Sequence, residues 1–505
     1  MSSEQPKRSP EQEALIVAKI KAETSGKVVQ HPATQRDVSP IGTKASQPGT
    51  ERAARAKRKP KAIQGDNVTL NRGKPAAETQ ASPNLLAWMN ERHAVIFDYG
   101  GRCVVADIAA QGDTVRTFFT DDFRKRYQNR TVGMGKKSVP LGDWFLTHPR
   151  REQYYELVLR PDTLAREVLV HGRRCLNLWR GFAVKPKAGD WGRMRDHVYN
   201  VLAAGSTEGG DYIVRWAAFG VQHPIQRAEQ ALCWRGEEGV GKGTFANAYL
   251  RLFGPHGFRV QSAHELTGRF NAHFRDCVMV LADEAIWGGD KAAENKLKGL
   301  VTEPSFPLES KGKDIIRWPN YLSLMVTSNA RWIVPAGPKA RRFTIFEPAE
   351  THWDDKPYFD AIQAELANGG LAAMLHDLLD LPLGNWHPRV GFKTAALQDQ
   401  KRHSLEPAWK ALEMMLQDGI LTPNANPPHA SSLAALVNHA RDIVPFLKTR
   451  SDTELKEAFR FVGATARHNS AGDSRLWYFP SLTTCRKAWQ SKFGSWQWDP
   501  ADDWR

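Results

Sequence analysis

A short apolar strand, Leu232–Trp234, runs into Gly236-Glu237-Glu238-Gly239-Val240-Gly241-Lys242-Gly243-Thr244, and a helical run, Phe245–Phe253, follows at once. No other feature of the 505-residue chain constrains its fold as strongly. Glycines let successive backbone N–H groups turn inward around a phosphate, and the following helix presents its positive dipole end there. The spacing makes Gly236, Gly239, Val240, Gly241 and Gly243 an ATP cradle. Lys242 would reach the β- and γ-phosphates, and the Thr244 hydroxyl would ligate Mg²⁺. The usual pattern places Ser or Thr directly after the lysine, whereas here Gly243 intervenes. The plain alternative is a glycine-rich turn with a chance lysine.

Two further apolar runs end in chemistry. Cys277–Ala282 leads into Asp283-Glu284. Acids released at the carboxyl end of a buried parallel strand can do two jobs. Asp283 would hold the Mg²⁺ shell, and Glu284 would polarise an attacking water. Tyr321–Val326 leads into Thr327-Ser328-Asn329. The Asn329 amide offers both donor and acceptor to a γ-phosphate and its water. Lys339-Ala340-Arg341-Arg342-Phe343 follows. Arg341 and Arg342 compete as the cation that stabilises a transferring phosphoryl group. A solvated turn, a capping Asn and a structural ion pair are the non-catalytic readings of these segments.

In this order the motifs resemble superfamily 3 helicases, AAA+ ATPases of small viruses, phages and plasmids. The helicase domains of phage and prophage primase–helicase proteins are the nearest likeness. Gly268-Arg269-Phe270-Asn271, Lys296–Thr302 and Glu309-Ser310-Lys311-Gly312-Lys313 add to it. The resemblance implies a P-loop AAA+ core, a ring, usually a hexamer, and ATP held between subunits. The arginine finger then arrives from a neighbour, and its place directly before Phe favours Arg342. The family's channel hairpin would carry Lys311 and Lys313 onto the DNA backbone. Two lysines flanking a glycine also make a mobile cationic tip suited to phosphates.

Along the chain the pattern predicts five parts: a disordered basic leader (1–83), a small α+β domain (84–200), the ATPase (201–350), a helical segment (351–426) and a winged-helix-like module (427–505). The overall fold class is α/β with a mainly parallel sheet. A short amphipathic helix is expected at Glu11–Glu23, and Arg52–Lys61 forms a basic tract. Ala94–Asp107, alternating around Gly100–Gly101, reads as a β-hairpin. The leader's scattered acids do not make a two-metal primase site, so a helicase without its own primase is expected.

The formal net charge is +15, and about +14 of it lies in the first 200 residues. That excess suggests a polyanionic partner, most simply nucleic acid, with a solvated soluble surface as the plain alternative; the resemblance implies single-stranded or forked DNA. No run reaches the roughly 18 apolar residues of a membrane span. Five scattered cysteines argue against zinc and disulfides and for a reducing cytosol, and the resemblance implies the cytoplasm of a bacterial host. The expectation is an ATP-driven DNA helicase for a phage, prophage or related element, working as a ring and with a separate primase or polymerase as partner. The alternatives are an ATP-binding initiator or scaffold without unwinding, and a small-molecule phosphotransferase.

Overall fold

The computed structural model describes residues 79–80, 83–109, 114–284, 291–334, 337, 340–423, 425–468 and 475–505. The expected leader helix and basic tract lie outside these residues.

The small domain contains α1 (Pro83–Arg92), followed by β1 (His93–Ile96), β2 (Val104–Asp107), β3 (Arg116–Phe119) and, further on, β4 (Gln153–Tyr154). They form a sheet of order β3-β2-β1-β4, in which β1 and β2 pair as the expected antiparallel hairpin. Its apolar residues alternate between two cores, as the two-residue period of a strand requires. Ala94, Ile96, Val104 and Ala106 join the main core. Val95 and Val105 face a smaller core with Phe123, Trp144 and Phe145. The small domain is thereby fused to the central-sheet region through one face of its sheet.

The π-helical turn His197–Leu202 and α2 (Thr207–Gln222) lead to the central sheet. Its strands are β5 (Ala231–Arg235), β6 (Gly257–Val260), β7 (Met279–Asp283), β10 (Ser323–Ser328) and β11 (Phe343–Phe346). Between β7 and β10 comes a hairpin of β8 (Ser305–Leu308) and β9 (Ile316–Pro319). The central order is β6-β7-β10-β5-β11, and every pair is parallel. Strands buried on both faces favour apolar runs: β7 has Met279–Ala282, and β10 has Leu324–Val326 flanked by buried Ser323, Thr327 and Ser328. Helix α3 (Lys242–Phe253) follows the glycine loop, and α4 (Lys291–Thr302) precedes the hairpin.

Three helices extend the core: α5 (Lys356–Glu365), α6 (Leu371–Asp380) and α7 (Ala395–His403). Next comes α8 (Pro407–Asp418), whose Ala411, Leu412 and Met415 pack with Phe459, Trp477 and Trp489 instead. The C-terminal core thus takes in residues from Leu405 onward. Its order continues with β12 (Ala430–Ser432), α9 (Leu433–Ile443), α10 (Thr453–Phe461), β13 (Thr465–His468), β14 (Arg475–Tyr478) and α11 (Leu482–Phe493), and its sheet runs β12-β14-β13.

All five cysteines are free thiols. Among the described residues no helix is long and apolar enough to cross a membrane.

Candidate nucleotide site

The glycine loop lies at the carboxyl end of β5, where a parallel sheet opens a crevice. Gly241 adopts φ 88, a conformation that side chains disfavour, and a Cβ there would lie 2.6 Å from both His197 and Phe359. From Glu237 to Gly243 no backbone N–H donates to a described residue. This row of unsatisfied donors at a helix start is the feature that fits the phosphates of ATP.

Lys242 is buried, and its Nζ donates to Gly236 O at 2.7 Å, Glu237 O at 2.5 Å and Asn329 Oδ1 at 2.6 Å. Burial pushes its ammonium below the ordinary lysine range, opposed by Glu284 and other nearby carboxylates. Desolvation and the neighbouring acids thus act in opposite directions on Lys242, the one cation among the described residues that lines the cradle.

Glu238, Gly239, Gly241, Lys242, Gly243, Thr244, Asp283, Glu284 and Asn329 line one cavity of about 380 Å³, together with Thr327. Three strand ends, distant in sequence, therefore converge on this cavity. Gly236 contributes its carbonyl to Lys242, while Val240 is buried behind the loop. Asp283 accepts from the Thr327 hydroxyl through Oδ1 and from the Arg259 guanidinium through Oδ2. A carboxylate has about four lone-pair positions, so these bonds leave room for a metal ligand bond. Glu284 has φ 55, and its N–H donates to Thr327 O at 2.9 Å. Thr244 and Asp283 flank the same cavity, and oxygen donors of this kind suit Mg²⁺.

Three contributors carried no recognisable sequence signal. His197 lies 44 residues before Gly241, yet Nε2 donates to Gly241 O at 3.1 Å and Nδ1 accepts from the Tyr358 hydroxyl at 3.2 Å. Burial holds its imidazole down to about 4, so it is neutral at physiological pH. Arg259, on the edge strand, holds Asp283. Trp353 donates from Nε1 to Glu238 O at 2.9 Å and covers Gly239.

The arginines lie elsewhere. Phe343, the first residue of β11, is opposite Ala231, the first of β5, and Ala231 N donates to Arg342 O at 2.7 Å. Arg341 and Arg342 thus stand at the amino ends of the strands. The length of β5, about 16 Å at ~3.3 Å per residue, separates that edge from the phosphate loop. Arg342 Nε donates to Thr302 Oγ1 at 3.2 Å, and Arg341 is exposed.

The hairpin lysines are divided. Lys311 is exposed at the β8–β9 tip. Lys313 is not part of a mobile tip: its Nζ donates to Thr117 Oγ1 at 3.0 Å and stands 4.0 Å from the Tyr99 ring centre. Burial, with repulsion from Arg275, pushes it down to about 8. Gly100 sits so close that a Cβ would meet Asp314 O at 2.8 Å. The small domain therefore clasps one side of the hairpin.

A family model described as a family of unknown function (DUF5906) matches residues 234–342, the stretch that holds the loop and its partner strands. No curated protein matches the chain. Solved structures share its fold. The apo structure of the NrS-1 C terminal region (305-718) has a TM-score of 0.57 at 13% identity, covering 79% of this chain and 99% of that one. The A form apo structure of the same region gives 0.57 at 14%, covering 78% and 98%. A further A form structure gives 0.55 at 14%, covering 78% and 97%. At such identities the likeness is one of fold.

Proposed function

We propose that the chain is an ATP-hydrolysing DNA translocase of the superfamily 3, AAA+ type, serving replication of a phage, prophage or related element in a bacterial cytoplasm. One observation carries the proposal: Lys242, Thr244, Asp283, Glu284 and Asn329 line a single cavity at the carboxyl end of the parallel sheet.

In this reading the loop N–H groups and Lys242 hold the β- and γ-phosphates. Mg²⁺, when bound by Thr244 and Asp283, neutralises phosphate charge and polarises the γ-phosphoryl group. Glu284 orients the attacking water and takes its proton. Asn329 links Lys242 to that water, so its amide reports whether the γ-phosphate is present. Arg342 belongs to the edge remote from its own loop, which suits a finger acting on a neighbour's nucleotide in a ring, with hexamers expected. Lys311 contacts the DNA backbone. The C-terminal order of helix, strand, two helices and two strands is that of a winged helix.

The test is strand displacement on forked DNA by the full chain, with ATP and with Lys242→Ala as control. ATP-dependent displacement that the variant lacks supports the motor. ATP binding and assembly without displacement favour the initiator or scaffold, and phosphoryl transfer to a small acceptor favours a kinase.

A further inference from the structure

A cleft runs between the central sheet and the C-terminal unit. One compartment, about 470 Å³, is lined by Lys298 and Arg342 on one side and by Lys492 and Phe493 of α11 on the other. A second, about 340 Å³, is lined by Lys393 and Lys401 and by the start of the tail after α11. Ala340 and Phe493 border both, so the two compartments are contiguous. Among the described residues, no Asp or Glu lines either one.

Four of the cleft's cations have no counter-charge among the described residues. Arg342, Lys393, Lys401 and Lys492 form no ion pair with a described residue. Lys393 reaches only Ser495 Oγ, at 3.3 Å. Lys492 rests over Trp409 and Phe461, 4.6 and 5.1 Å from the ring centres. Burial pushes the Lys401 ammonium down, and Lys393 adds repulsion. Gathering like charges in a partly desolvated groove is unfavourable until a polyanion fills it. The floor is built rather than incidental. Gln398 Nε2 donates to Gln497 O at 2.8 Å and Gln497 N donates to Gln398 Oε1 at 2.8 Å, clasping the tail to α7.

We propose that this cleft is a second track for the backbone of single-stranded nucleic acid, separate from the Lys311 hairpin. It rests on the reading of the chain as a DNA motor. The cleft's cationic lining with an apolar wall is the combination that single-strand grooves use. The cleft borders the amino-end edge of the sheet at Arg342, so it is not the chain's own nucleotide cavity.

The experiment is fluorescence anisotropy of a labelled oligothymidylate with the full chain across a salt series. Lys393→Glu with Lys401→Glu should weaken binding at least tenfold. The slope of log affinity against log salt should become shallower by about 1.4, the release expected for two single-strand phosphates. Basal ATPase without DNA and thermal stability should stay unchanged, and Lys393→Arg with Lys401→Arg should retain affinity. If the reversal variant does not fold, Lys393→Gln with Lys401→Gln takes its place, again with a weakening expected. Unchanged single-strand affinity overturns the proposal, as does a loss confined to duplex. Loss of basal ATPase with single-strand binding intact also overturns it, and assigns the cleft to a neighbour's nucleotide. Sensitivity to Lys311→Ala alone sinks the cleft and leaves the motor standing. A wild-type chain that ignores DNA sinks both.

Discussion

Lys242 and Asn329, 87 positions apart, are joined by a 2.6 Å hydrogen bond from ammonium to amide oxygen. The bond ties the phosphate loop to the end of β10. It makes the lysine's position depend on a strand that the loop sequence says nothing about. Lys242→Ala should abolish ATP hydrolysis, because no other described cation lines the cavity. Asn329→Ala should cut kcat by about 10²–10³, the usual cost of one lost polar contact to developing charge. Nucleotide binding should be retained. Steady-state ATPase and fluorescent-nucleotide titration check both, and wild-type turnover in Lys242→Ala would refute the site.

Arg342 stands at the opposite strand ends from the phosphate loop. Arg342→Ala and Lys242→Ala should each be inactive alone, and mixed assemblies should regain part of the ATPase, since each copy keeps one half-site. Arg341→Ala should stay nearer wild type. A mixture that stays dead although it assembles would argue for a finger acting within its own chain.

Lys311 and Lys313 should part company on mutation. Lys311→Ala should lower stimulation of the ATPase by single-stranded DNA and leave the melting temperature alone. Lys313→Ala should destabilise the fold by about 1–2 kcal/mol, through loss of its bond to Thr117 and its contact with Tyr99. Thermal melts and DNA-stimulated ATPase on the two single variants separate these effects.

Burial holds His93, His197 and His256 down to about 4, against an ordinary 6.5. Between those values the unfolded chain binds protons that the folded chain does not. Stability is therefore full above pH 6.5 and falls as pH drops from 6.5 through 4. His256 shows the cause: Nδ1 donates to Asp276 O at 2.7 Å, and Nε2 accepts the Arg180 N–H at 2.9 Å. A second ring proton would break the latter bond. Urea midpoints measured between pH 4 and 7 should fall on the acid side, and His256→Asn should flatten the fall by about one proton. An acid-side slope that His256→Asn leaves unchanged would rule out this origin.

The strand, glycine loop and helix were legible because their signals are local. Glycine spacing, a capping position and an apolar period each act within a few residues. Asp283-Glu284 and Thr327-Ser328-Asn329 could be read for the same reason, as polar residues released by apolar strands. The hairpin at Ala94–Asp107 was legible from alternation and its two glycines. By contrast, the packing of α8 was not legible, because the side it buries is set by Phe459, Trp477 and Trp489 far downstream.

The sequence by itself determined which elements form and which chemistry they carry: an α/β chain with a phosphate-type loop, two acids and an amide at strand ends. Only the tertiary structure decided which groups meet. It brought His197 under Gly241, set Arg259 on Asp283, drew Lys313 onto Tyr99 and placed Arg342 at the far edge of the sheet. The physical reason is range. Backbone preference and hydrophobic period are properties of neighbours in the chain. A hydrogen bond or a buried charge depends on what the fold brings within about 3 Å, whatever the distance in sequence.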